Sequence, residues 1–213
     1  MLEQFRVKAV LCDLDGTLVD SIPCLYAIFK KILAEARIEA TKEEFNKLMG
    51  LTTKEIMVYL ENTYGLPRGF SEQTYLEAFE KEYLGGVTWY PEALETLKSC
   101  ESNGIKVALV TSMQKELVLR FLSSRQVEQY FEVVVGGGDT LEAKPSPQPF
   151  EEAAKQLGVD LDLVLGIEDS TQGLLSGKRA GIKMLQFCPN QSINQLADEA
   201  FTSWKEFPSW ILI

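Results

Sequence analysis

The sequence predicts an α/β protein: a doubly wound parallel sheet with helices on both faces and an all-helical insert. Two observations predict the sheet. Short β-rich runs at 7–12, 106–110, 132–135, 163–167 and 182–186 alternate, in the second half, with helical patterns at 92–102, 114–123, 147–157 and 171–180. The first, second and fourth runs are nearly continuously apolar, as strands buried on both faces are. A third observation predicts the insert. From Ile22 to Leu84 the strand rhythm stops, and the chain reads as helices at 22–36, 42–49, 53–64 and 71–83.

Each element carries its own punctuation. Asp20 or Ser21 can cap the first helix of the insert, with Pro23 tolerated in its opening turn. Thr41-x-x-Glu44 is a capping box for the second. Gly65-Leu66-Pro67 breaks the chain before the last, and Gly85-Gly86 offers a flexible return to the sheet. Asn103-Gly104 stops the helix at 92–102, and Gly181 does the same after Ala180. The division expected is a core formed by 1–19 and 86–213 and a helical cap at 20–85.

Composition narrows the function. The chain has 213 residues, 46% of them apolar and 24% charged, as in ordinary globular proteins. Its formal net charge of −10 opposes nonspecific binding to nucleic acid or anionic lipid. There is no histidine, which excludes Ser-His-Asp triads, Cys-His pairs, zincin sites and phosphohistidine chemistry. Cys12, Cys24, Cys100 and Cys188 lack metal-site spacing and read as reduced thiols of a cytoplasmic protein. No signal-peptide pattern opens the sequence, and no apolar stretch approaches the ~18–20 residues of a membrane helix. The tail Trp210-Ile211-Leu212-Ile213 is expected to dock on the body. The oligomeric state is left open, with a monomer as the working expectation.

Chemistry-bearing residues gather at the strand ends. The first run ends in Asp13-Leu14-Asp15-Gly16-Thr17, the second in Thr111-Ser112, and the fourth in Glu168-Asp169-Ser170; Lys144 follows the third, within Lys144-Pro145-Ser146-Pro147. In an open α/β sheet, ligands bind outside the carboxyl ends of the strands. Asp13, Asp15, Glu168 and Asp169 brought together would repel unless a cation joined them, and hard carboxylate oxygens suit Mg²⁺. The lysine, the hydroxyls and a glycine-containing turn suit phosphate oxygens. The combination describes phosphoryl transfer. Structural roles compete with it: Asp13 and Asp15 as turn residues, Thr111 and Ser112 as helix caps, Glu168 as a brace, Lys144 as a solvated lysine. Gly136-Gly137-Gly138 lacks nucleotide-loop spacing and reads as a permissive turn.

Asp13-Leu14-Asp15-Gly16-Thr17-Leu18-Val19-Asp20-Ser21 resembles the signature of haloacid dehalogenase (HAD) superfamily phosphotransferases. Thr111, Lys144-Pro145-Ser146-Pro147 and Gly166-Ile167-Glu168-Asp169-Ser170 match the other three motifs in order, so the resemblance spans essentially the whole chain. The insert's position resembles the helical-cap branch, which contains phosphoglycolate phosphatases and β-phosphoglucomutases. The resemblance implies a Rossmann-like core and an Mg²⁺-dependent phosphatase acting on a small phosphorylated metabolite. It implies that Asp13 attacks phosphorus to form an aspartyl-phosphate, and that Asp15 serves as general acid and then base. Asp13, the Asp15 backbone carbonyl and Asp169 would ligate the metal, with Glu168 alongside or through water. Thr111, Ser112 and Lys144 would hold the phosphoryl oxygens.

Two departures bear on the reading. Gln148-Pro149 replaces an expected Asp-containing step that could brace Lys144. Leu25 stands where a mutase is expected to carry a cap-side histidine, which opposes transfer within a sugar phosphate. Mutase-like transfer and a catalytically silent metabolite-binding protein are the two alternatives. Gly50-Leu51-Thr52-Thr53-Lys54 and Arg68 are the cap positions considered for selecting the leaving group.

Overall fold

A computed structural model describes residues 6–190 and 192–207, without the Ser71 side chain. The expectation for Trp210-Ile211-Leu212-Ile213 lies outside the described residues. Six parallel strands form one sheet in the order β3-β2-β1-β4-β5-β6. They are β1 (Ala9–Cys12), β2 (Lys106–Gln114), β3 (Val133–Gly137), β4 (Val164–Glu168), β5 (Lys183–Phe187) and β6 (Glu199–Phe201).

Alternation along β1 shows why the sheet is covered twice. Val10 and Cys12 pack with α6 (Ala93–Ser102) and α7 (Lys115–Arg125), through Leu97, Cys100, Val118 and Phe121. Ala9 and Leu11 pack on the other face, against Phe150, Ala153, Ala154 and Leu157 of α8 (Gln148–Leu157) and Leu174 of α9 (Thr171–Arg179). Burying a side chain such as Phe121 or Phe150 contributes about 1.5–3 kcal/mol.

Between β1 and α6 the chain is helical: α1 (Ile22–Glu35), α2 (Lys42–Leu48), α3 (Thr53–Tyr64), α4 (Phe70–Ala78), a π-helical turn (Phe79–Tyr83) and α5 (Leu84–Gly86). The segments that leave and re-enter the core lie side by side. Asp20 N–H donates to the Thr88 carbonyl and Tyr90 N–H to the Leu18 carbonyl, each at 2.9 Å. Thr41 caps α2 by accepting from the Glu44 amide, and Thr52 with Glu55 forms a complete capping box on α3.

Four expectations are corrected. Ser21 stands at the N-cap of α1, but its side chain makes no cap bond, because its backbone is already helical. β2 runs on through Thr111 and Ser112 to Gln114, with a register irregularity against β3 beyond Val110. A sixth strand, too short and polar at Glu199 for a β-rich run, extends the sheet beside β5. Of Gly136-Gly137-Gly138, the first two belong to β3, where Lys115 and Ser112 lie too close for a Cβ, and Gly138 takes the expected turn with φ +99°.

Candidate active site

The strand order reverses direction between β1 and β4, and the expected residues converge on that switch point. Cys12 sits in register with Ile167, so Asp13 after β1 and Glu168-Asp169 at the end of β4 emerge together. Asp13 N–H donates to the Ile167 carbonyl at 2.9 Å, which fixes the first of these loops to the second.

The 13–19 turn is held from several sides. The Leu14 carbonyl accepts from Leu18 and Val19, and the Trp204 indole donates to the Thr17 carbonyl at 3.0 Å. Gly16 has φ +82°, and a Cβ there would overlap the Asp169 carboxylate; only glycine meets both conditions. Thr17, fully buried, directs its hydroxyl to Asp169 Oδ1 at 3.5 Å.

Lys144 is the organising cation. It is 3% exposed, and its Nζ donates to Asp13 Oδ1 at 2.7 Å, Glu168 Oε1 at 2.5 Å and the Val110 carbonyl at 2.9 Å. Three strands thus meet on one ammonium. Its loop is anchored from α9, where Ser176 donates to the Ser146 carbonyl at 2.5 Å and Arg179 to the Pro145 carbonyl at 2.9 Å. Gln148 bonds to Glu142, accepting from its amide and donating to its carboxylate. The brace on Lys144 is Glu168. The other Glu168 oxygen accepts from the amide and hydroxyl of Ser170, both at 2.9 Å, and Ser170 in turn caps α9 through the Gly173 amide.

Burial dominates the electrostatics. It pushes the Asp13 carboxyl well above its usual range, against the pull of Lys144 and with the help of Glu168. It pushes Asp169 up to about 8, again with Glu168 adding to the effect. Burial opposes the Lys144 charge too, yet Asp13 and Glu168 hold its ammonium above the ordinary lysine value. One lysine against three crowded carboxylates is an unbalanced set.

Asp13, Glu168 and Asp169 present oxygens within 4.8 Å of one another, all buried. Hard oxygens in that number, short of positive charge, fit a divalent cation such as Mg²⁺. Glu168 belongs to this cluster while both its oxygens already accept hydrogen bonds. The Asp15 side chain stands apart from it. Its Oδ1 accepts from the Tyr83 hydroxyl at 2.6 Å, and burial raises its carboxyl despite that donor.

Thr111 is buried, and its hydroxyl accepts from the Met113 amide at 3.2 Å. Ser112 reaches the same cavity, but its hydroxyl donates to the Gly50 carbonyl of the insert at 2.8 Å. All the expected residues, Asp13, Asp15, Thr111, Ser112, Lys144, Glu168 and Asp169, line one cavity of about 100 Å³. Lys54 and Arg68 do not. They line a separate cleft formed by α3, α4 and the loop between them, together with Gln114 at the end of β2.

Two features escape a reading of the motifs. Tyr83 enters from the insert to meet Asp15; the four-residue spacing Tyr75, Phe79, Tyr83 marked an aromatic stripe but not which hydroxyl would reach a carboxylate. The cavity wall opposite the sheet is apolar, contributed by Leu25, Phe29, Met49, Leu51, Ile56 and Met57 among others.

The arrangement has known counterparts. The haloacid dehalogenase-like hydrolase model matches residues 10–187. The chain belongs to this family. It is 32% identical over 182 residues to a phosphoglycolate phosphatase of Aquifex aeolicus, covering 83% of each chain. A solved structure described as a predicted phosphoglycolate phosphatase from Haemophilus somnus superposes with a TM-score of 0.84 at 21% identity, over 98% of this chain and 99% of that one. A putative β-phosphoglucomutase from Thermotoga maritima gives 0.76 at 23%, over 95% and 97%. At such identities the structural likeness speaks for the fold. This HAD chain is an enzyme of the hydrolase type, similar to phosphoglycolate phosphatases. Among the described residues no helix is long and apolar enough to cross a membrane.

Proposed function

We propose that the chain is an Mg²⁺-dependent phosphomonoesterase that works through an aspartyl-phosphate on Asp13. The observation that carries this reading is the bridge from Lys144 to both Asp13 and Glu168, with Asp169 beside them, at the β1/β4 crevice. Asp13, Asp169 and the Asp15 backbone carbonyl would hold the metal, with Glu168 alongside. When bound, the ion would neutralise the carboxylates and polarise the phosphoryl oxygens.

An Asp13 carboxylate oxygen forms the new P–O bond as the ester P–O bond breaks, and the departing alkoxide takes the Asp15 proton. Water then attacks phosphorus and returns a proton to Asp15, the Asp13–phosphorus bond breaks, and phosphate leaves. Lys144 lowers the repulsion between Asp13 and an incoming anion, and Lys144 with Thr111 holds the phosphoryl oxygens; Ser112 joins them by exchanging its bond to the Gly50 carbonyl for one to phosphate.

In this reading 20–85 act as a cap that excludes water and contacts the leaving group. Ser112 bonded to Gly50 supports that role for the 50–53 loop. Leu25 in the cavity wall disfavours mutase chemistry, since it offers no proton-handling group. The substrate is a small phosphorylated metabolite, and four unpaired cysteines support a cytoplasmic setting. The test is a panel of phosphomonoesters assayed with and without Mg²⁺ on wild type and Asp13→Asn. Metal-dependent release of phosphate that vanishes in the variant supports the proposal, and release indifferent to both refutes it.

A further inference from the structure

The cavity has two unlike halves. Its floor comes from the core and carries the carboxylates, Thr111 and Lys144. Its wall comes from the helical insert, where half-buried Leu25, Met49, Leu51, Ile56 and Met57 turn apolar groups toward the same space. Among the described lining residues Lys144 is the one cation, and it is already shared by Asp13 and Glu168. The polar side chains that the insert adds to the wall are the hydroxyls of Thr53 and Tyr75. Burial raises the Tyr75 phenol above its ordinary value, so it stays neutral.

A leaving group that enters this half meets hydrocarbon and neutral hydroxyls. A carboxylate or second phosphate there would lose water and gain no counter-charge, whereas an apolar body would leave water for matching surface. Lys54 and Arg68, the cations of the insert's selection segments, line the other cleft.

Building on the phosphatase reading above, we propose that the pocket selects phosphate monoesters of uncharged, apolar or aromatic alcohols and rejects those bearing a second anionic group. Phosphoglycolate, with its carboxylate next to the ester, falls in the rejected class. The floor fixes the phosphoryl group, and the wall reads the alcohol.

The experiment compares benzyl phosphate with 2-phosphoglycolate on the full chain with Mg²⁺, two esters of primary alcohols of comparable acidity. The expected kcat/KM favours benzyl phosphate by at least about tenfold. Calorimetric binding of benzylphosphonate and phosphonoacetate, which cannot be hydrolysed, is expected to rank the same way. Ile56→Lys, which adds a cation to the wall, is expected to move the ratio toward phosphoglycolate by about tenfold or more. Equal or better turnover of phosphoglycolate by wild type overturns this inference and leaves the phosphatase reading intact. Hydrolysis of neither ester, with benzylphosphonate bound more tightly than phosphonoacetate, supports the pocket's preference, and the phosphatase reading is then overturned if the rest of the phosphomonoester panel is also left intact. Binding of neither phosphonate, or tighter binding of phosphonoacetate, overturns the inference without reference to turnover.

Discussion

The hydroxyl of Tyr83, carried by the π-helical turn of the insert, donates to Oδ1 of Asp15 in the core at 2.6 Å. The proposed acid–base residue is therefore oriented by the insert and not by the sheet that bears it. Tyr83 is fully buried, stacked on Phe79 and set edge-on to Phe121, so the hydroxyl has little freedom to leave.

Tyr83→Phe removes that donor and keeps the packing. Hydrogen bonds to charged groups contribute about 1.5–3 kcal/mol, so kcat is expected to fall about tenfold or more. Tyr83 positions Asp15 and is not among the residues lining the pocket, so KM should stay within about twofold. Steady-state kinetics decide; a rise in KM with kcat unchanged would place Tyr83 in substrate binding instead.

Lys144→Met strips the common counter-charge from Asp13 and Glu168. Breaking a buried ion pair from one side typically costs about 3–5 kcal/mol, which for a chain of this size is a fall in Tm of about 10 °C. Thermal denaturation with and without Mg²⁺ checks this. Added Mg²⁺ should restore part of the loss, while activity stays absent. An unchanged Tm would show that the three carboxylates do not depend on the lysine.

Gly173→Ala tests the support beneath that lysine. A Cβ at 173 would overlap the Glu168 carboxylate, which must then move away from Lys144. Overpacking of this kind costs about 1–3 kcal/mol, and kcat/KM should fall at least about tenfold. Gly85→Ala, where a Cβ meets open space, is the control and should leave both unchanged.

Much of this was legible in the sequence for physical reasons. Continuous apolar runs at β1, β2 and β4 read as strands buried on both faces once they alternate with helical patterns, and in an open parallel sheet the acidic, hydroxyl-bearing ends of such strands share one edge. That reasoning located Asp13, Asp15, Thr111, Glu168 and Asp169 without contacts. Other features lay beyond it. β6 has three residues and opens on Glu199, so periodicity is silent there. Ser112 bonding to Gly50, and Lys54 and Arg68 falling on a separate cleft, depend on how the insert's helices rotate against the sheet. An amphipathic pattern gives the buried face of a helix but not what that face meets.

Asp198 gives a pH test away from the site. It accepts from the Met184 amide and from Lys178, both at 2.8 Å, and joins the segment before β6 to β5 and α9. Burial works against its charge, but Lys178 and the Met184 amide hold its carboxyl below the usual range. A carboxyl depressed in the folded state contributes stability above its unfolded pKa, about 3.9, and loses it as pH falls through the folded value. Asp198→Asn is expected to lower Tm by about 2–4 °C at pH 7, with the gap closing below about pH 4. A gap independent of pH would mean that the charge is not what matters.

The most direct measurement is capture of the covalent intermediate. The full chain turning over p-nitrophenyl phosphate with Mg²⁺ is quenched in acid, digested and mapped by mass spectrometry. The expected result is a phosphoryl group on Asp13 in wild type, with both the label and hydrolysis lost in Asp13→Asn. Turnover with Asp13 never modified, and undiminished in Asp13→Asn, would contradict the account.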